Sequence, residues 1–132
     1  MEKLKLCGTG ERRFGKALLV WQEDGSLRVY LDYRGAYGLG ERFDALNQKG
    51  RRVVCEVEEK FCFQGNKSYC PAPFFWTDSG FGLYAGTYET TVFDFREGEI
   101  LAQLPEGCEV TLFSGTPEGI ISEYISLFGP PV

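Results

Sequence analysis

Polar and apolar residues alternate along most of this chain with the two-residue period of half-buried strands, and the period changes only near the C-terminus. Residues 17–21 and 27–33 are strand-like runs separated by Gln22-Glu23-Asp24-Gly25-Ser26, and an Asp-Gly between apolar runs predicts a hairpin. In the second run Leu27, Val29 and Leu31 face one side and Arg28, Tyr30 and Asp32 the other, so the sheet has a core face and a wet one. Residues 51–59 alternate again with Val53, Cys55 and Val57 on one face. Register is well specified there, because a slip by one would bury Arg52, Glu56 and Glu58. Residues 71–77 and 81–87 pair about Asp78-Ser79-Gly80. Phe74, Phe75 and Trp76 place large apolar groups on both sides of that strand, which predicts a core face and a partner surface. Residues 90–95, 100–104 and 109–113 read as an antiparallel meander. At the start, residues 4–8 read as a short edge strand. Gly8-Thr9-Gly10-Glu11-Arg12-Arg13 reads as a turn, since it lacks the third glycine and the following helix of a phosphate loop.

The last element has the helical period. Thr116 suits an N-cap, Pro117 the first helical position and Glu118 the positive end of the dipole, while Ile120, Ile121, Tyr124, Ile125 and Phe128 form one stripe. Gly129-Pro130-Pro131 ends it, so a helix is predicted over 116–128. The expectation is one domain over residues 1–132: an all-β antiparallel sandwich with a single C-terminal α-helix.

Composition agrees and narrows the chemistry. The chain is 43% apolar and carries 17 glycines and 6 prolines, as short strands joined by many turns require. A net charge of -5 with acids and bases interspersed gives no footprint for nucleic acid or an anionic membrane. No apolar run has the length of a membrane helix or the pattern of a signal peptide, and a cytoplasmic chain is expected. The 5 cysteines are odd in number and form no Cys-x-x-Cys, so reduced thiols are expected; Cys62 and Cys70 flank one loop. With 0 histidines, Ser-His and Cys-His nucleophile pairs are absent, and neither a metal site nor a cofactor is expected. Asp44, Asp78 and Asp94 sit in turn or strand contexts that account for them structurally.

Residues 37–50 read Tyr-Gly-Leu-Gly-Glu-Arg-Phe-Asp-Ala-Leu-Asn-Gln-Lys-Gly, and by physics alone the paired glycines make a tight corner in a β protein. In order after it come Tyr69-Cys70-Pro71-Ala72-Pro73-Phe74-Phe75, Gly80-Phe81-Gly82-Leu83-Tyr84, Phe93-Asp94-Phe95, and Phe113-Ser114-Gly115-Thr116-Pro117 with Tyr124. This ordered set closely resembles the N-terminal, galactose-mutarotase-like β-sandwich of glycoside hydrolase family 31, the α-glucosidase and α-xylosidase family, over residues 18–132. The resemblance implies a non-catalytic domain that packs on the catalytic barrel of the same polypeptide and helps shape a pocket for an α-linked glucoside or xyloside. That family's barrel carries both catalytic aspartates, one within Trp-x-Asp-Met-Asn-Glu, and no such segment occurs here. Gly129-Pro130-Pro131 matches the start of its passage into the barrel, so the chain is expected to stop at that threshold.

Between residues 59 and 69 the strand pattern breaks into aromatics mixed with amides and a glycine. A hairpin connection with Phe61 and Phe63 tucked beneath it explains the composition; the resemblance instead implies a loop reaching towards the sugar pocket. On that view Gln64, Asn66 and Tyr69 are the candidate substrate-binding residues, where some members of the family have an aspartate. The alternative is a stand-alone carbohydrate-binding module, in which Trp76 or Tyr69 stacks on a sugar ring and Gln64 and Asn66 read its hydroxyls. Either an apolar docking surface on residues 74–76 or one on the 116–128 helix is expected of the supporting domain.

Overall fold

The computed structural model describes residues 1–39, 47–55 and 73–127. In chain order these residues form β1 (Glu2–Lys5), β2 (Gly10–Phe14), β3 (Ala17–Trp21), β4 (Ser26–Tyr30), β5 (Ala36–Gly38), β6 (Arg52–Cys55), β7 (Phe74–Thr77), β8 (Phe81–Ala85), β9 (Thr91–Arg96), β10 (Glu99–Gln103), β11 (Glu109–Ser114) and α1 (Pro117–Ser126). Among the described residues the strands make a five-stranded sheet in the order β1-β11-β8-β7-β5 and a six-stranded sheet in the order β2-β3-β4-β10-β9-β6. Neighbouring strands run antiparallel throughout both. The fold is the antiparallel β-sandwich with one C-terminal helix that the alternation predicts.

The two sheets bury their inner faces on each other. Leu19, Val29, Phe93, Phe95 and Ile100 from the six-stranded sheet meet Phe75, Leu83, Val110 and Leu112 from the five-stranded one. Phe75 sits at the centre, edge-on to Phe95 at 5.2 Å and to Phe93 at 5.7 Å between ring centroids. Each such ring stabilises the fold by about 1.5–3 kcal/mol through burial, plus roughly 0.5–1.5 kcal/mol for each aromatic pair. The Asp24-Gly25 hairpin forms as expected, with Gly25 at φ +90° and the Gln22 N–H bonded to the Ser26 carbonyl at 3.0 Å.

Two expectations fail. Residues 10–14 form strand β2, paired with β3, and are not a turn: the Trp21 indole packs over Gly10, where any side chain would collide with it, and donates to the Cys7 carbonyl at 3.3 Å. Nor do the last three strands form a meander. β9 and β10 pair with each other, but β11 crosses to the other sheet, between β1 and β8. Alternation is identical whichever sheet a strand joins, so only long-range packing decides.

α1 covers the outer face of the five-stranded sheet. Thr116 caps it as predicted, its Oγ1 accepting from the Gly119 N–H at 3.1 Å, with Pro117 opening the first turn. Ile120 seats over Gly82, where a Cβ would come within 2.7 Å of it, so the absent side chain on β8 is what lets the helix settle. Phe74, Trp76, Phe113, Ile120 and Tyr124 make a second apolar cluster there. Phe74 and Trp76 are therefore buried under the helix and are not an open partner surface. Among the described members of the helical stripe Ile125 is exposed, 47% accessible.

Candidate functional site

The corner at Gly38 forms where β5 ends at the edge of the five-stranded sheet. Gly38 lies at φ +112°, with the Phe74 carbonyl so near that a Cβ would sit 2.5 Å from it. Leu39 follows at φ +60°, a left-handed conformation uncommon for a branched side chain, and its N–H donates to the same Phe74 carbonyl at 2.9 Å. The cost of order 1–3 kcal/mol for that backbone is offset by burial of the Leu39 side chain in the main core.

Residues 47–50 hold the corner from the other side. Asn47 Oδ1 accepts from the Ala36 N–H at 3.0 Å and from the Lys49 N–H at 3.0 Å, and its Nδ2 donates to the Arg34 carbonyl at 3.3 Å. Gln48, 7% exposed, donates from its backbone N–H to the Ala36 carbonyl and from Nε2 to the Gly38 carbonyl at 3.2 Å. These contacts satisfy a strand that, among the described residues, has β7 alone as its ladder partner. Gly50 then donates to the Phe95 carbonyl at 2.7 Å, so one short segment links the edge of one sheet to β9 of the other. The polar turn was visible in the sequence, but the burial of Gln48 was not.

Beside the corner lies a charged bracket. The Lys49 ammonium donates to the Tyr33 carbonyl at 2.8 Å, meets Glu97 at 3.0 Å and lies 5.1 Å above the Tyr33 ring. Tyr33 donates its hydroxyl to the Arg96 carbonyl at 2.7 Å, and burial, with Glu97 and Asp94 adding, pushes its pKa up to about 12. Asp78 accepts from the Arg34 and Gly35 N–H groups at 3.0 and 3.2 Å. Asp94 is held by Arg96 at 3.0 Å. Both carboxylates thus have the structural duties expected of them. Burial raises the pKa of Cys55 and of Cys108, which keeps these thiols protonated and unreactive. Among the described residues no group of three His, Cys, Asp or Glu is placed to hold a metal.

Gln64, Asn66 and Tyr69 lie outside the described residues, as do Asp44, Cys62, Cys70 and Phe128. Trp76, the alternative stacking platform, is 7% exposed beneath α1, with the Phe74 and Tyr37 rings tilted 31° against it at 5.8 and 5.9 Å, so it presents no face to a sugar.

Comparison with known proteins places this geometry. Residues 22–94 match the glycosyl hydrolase 31 N-terminal galactose mutarotase-like domain. The chain belongs to that family. A 1,3-alpha-isomaltosidase from Kribbella flavida is 29% identical over 136 residues, an alignment covering 92% of this chain and 19% of the relative. The solved structure of a Kfla1895 variant in complex with isomaltose shares the fold, with a TM-score of 0.60 at 20% identity over 94% of this chain and 21% of that one. A Flavobacterium johnsoniae GH31 dextranase complexed with glucose gives a TM-score of 0.55 at 18% identity, again over 94% of this chain and 21% of the other. In these relatives the matching region is about a fifth of a much longer polypeptide.

Proposed function

We propose that this chain is the non-catalytic N-terminal domain of a retaining α-glycosidase of the α-glucosidase or α-xylosidase type, which packs on the catalytic barrel and helps shape the sugar pocket. The observation that carries the reading is coverage: 92% of this chain corresponds to 19% of a 1,3-alpha-isomaltosidase. A two-carboxylate glycosidase needs acids flanking one bond, about 5–5.5 Å apart in the retaining case. Asp78 instead binds backbone N–H groups, and Asp94 takes Arg96 on its Oδ2. Residues 60–69, with Gln64, Asn66 and Tyr69, are the segment assigned to the pocket, and the bracket of Asn47, Gln48 and Gly38 supplies a rigid base for the neighbouring corner. An odd number of cysteines, with Cys55 and Cys108 buried and free, favours a reducing, cytoplasmic setting. No described helix is long and apolar enough to cross a membrane.

The test is to sequence the source reading frame past Val132 and assay both lengths on aryl α-glucosides and α-xylosides. The expected result is an open frame running into a barrel with Trp-x-Asp-Met-Asn-Glu, activity in the long protein and none in residues 1–132. Hydrolysis by the 132-residue chain would refute the non-catalytic assignment.

A further inference from the structure

On the side of the six-stranded sheet that faces away from the core, a concavity of about 580 Å³ spans β3, β4, β10, β9 and β6. The ladders align Val20, Arg28, Leu101, Asp94 and Arg52 in one row across those strands. Four strand spacings make the row about 19 Å long, enough for a short linear oligomer. Apolar and charged side chains alternate from Val20 to Asp94, and Arg52 adds a second charge at the β6 end. Tyr30, 41% exposed, stands next to Arg28 on β4, whose guanidinium lies 5.9 Å from the ring centre and donates to the phenol oxygen at 3.3 Å.

Both signs of charge stand on this face, Arg28, Arg52 and Arg96 beside Asp94 and Glu99, and two groups are left over. Arg28 meets Glu99 at 3.7 Å, and Arg96 takes Asp94 Oδ2 at 3.0 Å. Asp94 Oδ1 and the Arg52 guanidinium, across the β6–β9 ladder from each other, have no hydrogen-bond partner among the described residues. Such a surface does not offer the unbroken positive field a polyanion needs, because carboxylates are interleaved with its arginines on a chain of net charge -5, and a wholly apolar ligand would strand the charged row without water. It suits a neutral ring polyol. The C–H faces of a pyranose rest on Val20, Leu101 and Tyr30, while vicinal hydroxyls donate to Asp94 and accept from Arg52.

We propose that the outer face of the six-stranded sheet is a binding site for a linear α-glucan. The location rests on the register and the unpaired groups; the α-linkage rests on the glycosidase reading above. The experiment is an NMR titration of the isotope-labelled 132-residue chain with isomaltotriose and, separately, cellotetraose, at sugar concentrations on the order of tens of millimolar. Saturable shifts on β4, β10 and β9 with isomaltotriose are expected, weakened about tenfold by Tyr30→Ala and also by Asp94→Asn. The unperturbed spectrum of each variant serves as its fold control. Absence of binding by either sugar, shifts confined to other surfaces, or binding unchanged in Tyr30→Ala overturns the site. Preference for cellotetraose at this face overturns the α-glucan assignment and counts against the glycosidase reading, whereas failure to bind any sugar leaves that reading standing.

Discussion

Replacing Tyr124 with alanine should unlatch the helix that makes this sandwich a three-layered body. The Tyr124 ring stacks on Phe74 with centroids 3.8 Å apart and planes 2° from parallel, and it meets Tyr84 edge-on at 5.3 Å. It is 7% exposed. Burial of such a ring contributes about 1.5–3 kcal/mol, and its contacts with Phe74 and Tyr84 roughly 0.5–1.5 kcal/mol each. That agrees with the roughly 3–5 kcal/mol seen when core aromatics are cut to alanine. A domain of this length has on the order of 7–20 kcal/mol in all, so the variant stays folded with a large part of its margin gone. The loss should be local first. α1 has 10 residues, too few to persist as an isolated helix, and without Tyr124 it keeps chiefly Ile120 as a buried anchor. Its departure uncovers Phe74 and Trp76. Urea unfolding should therefore show a loss of about 3–5 kcal/mol, with new binding of an apolar dye below the main transition and an early change in tryptophan fluorescence, while the far-ultraviolet strand signal holds. Tyr124→Phe keeps the stack and should cost no more than about 1.5 kcal/mol. A loss below about 1 kcal/mol in the alanine variant, or a single transition without dye binding, would refute the latch.

Two further outcomes follow from the geometry. Burial, aided by Glu97 and Asp94 at Tyr33 and by Tyr84 and Cys55 at Tyr124, pushes both phenols up to about 12 from an ordinary 10.0. Because the folded values are raised, the stability each contributes is complete below about pH 10 and is lost as pH rises through about 12, at most about 3 kcal/mol apiece. The urea midpoint should fall across that window and fall less in Tyr33→Phe; an identical slope in both proteins would sink the assignment. Gly38→Ala combines a left-handed φ with a Cβ 2.5 Å from the Phe74 carbonyl, whereas Gly50→Ala has a left-handed φ and open space. The first should cost about 2–4 kcal/mol and the second about 1–2. Equal losses would show that close approach of the two backbones is not what requires glycine at the corner.

What was legible in the sequence was what is settled within a few residues. The Asp24-Gly25 turn, the inward Leu27 and Val29, and the Thr116 cap with Pro117 are each decided by neighbours, and each stands where it was expected. Gln48 was not legible as a buried residue, because its burial depends on a carbonyl ten positions away at a strained turn. Gln64, Asn66 and Tyr69 were chosen by resemblance, and no described contact bears on them. The strand missed at β2 and the partner surface expected on the outer face of β7 fail for one physical reason. Alternation reports a sheet with one dry face and one wet face. β2 is an edge strand whose Glu11, Arg12 and Arg13 are all exposed, so it lacks the dry positions that mark a strand, and its pairing with β3 is visible only in the ladder. β7 has the opposite defect: Phe74, Phe75, Trp76 and Thr77 are all buried, because the core takes one side and α1 the other. An outward aromatic pair and an apolar helical stripe were both plain in the sequence. That they cover each other depends on the Ser114-Gly115 turn bringing the chain back across β8, where Gly82 leaves the space that Ile120 fills. The apolar run on β7 is therefore the seat of the helix.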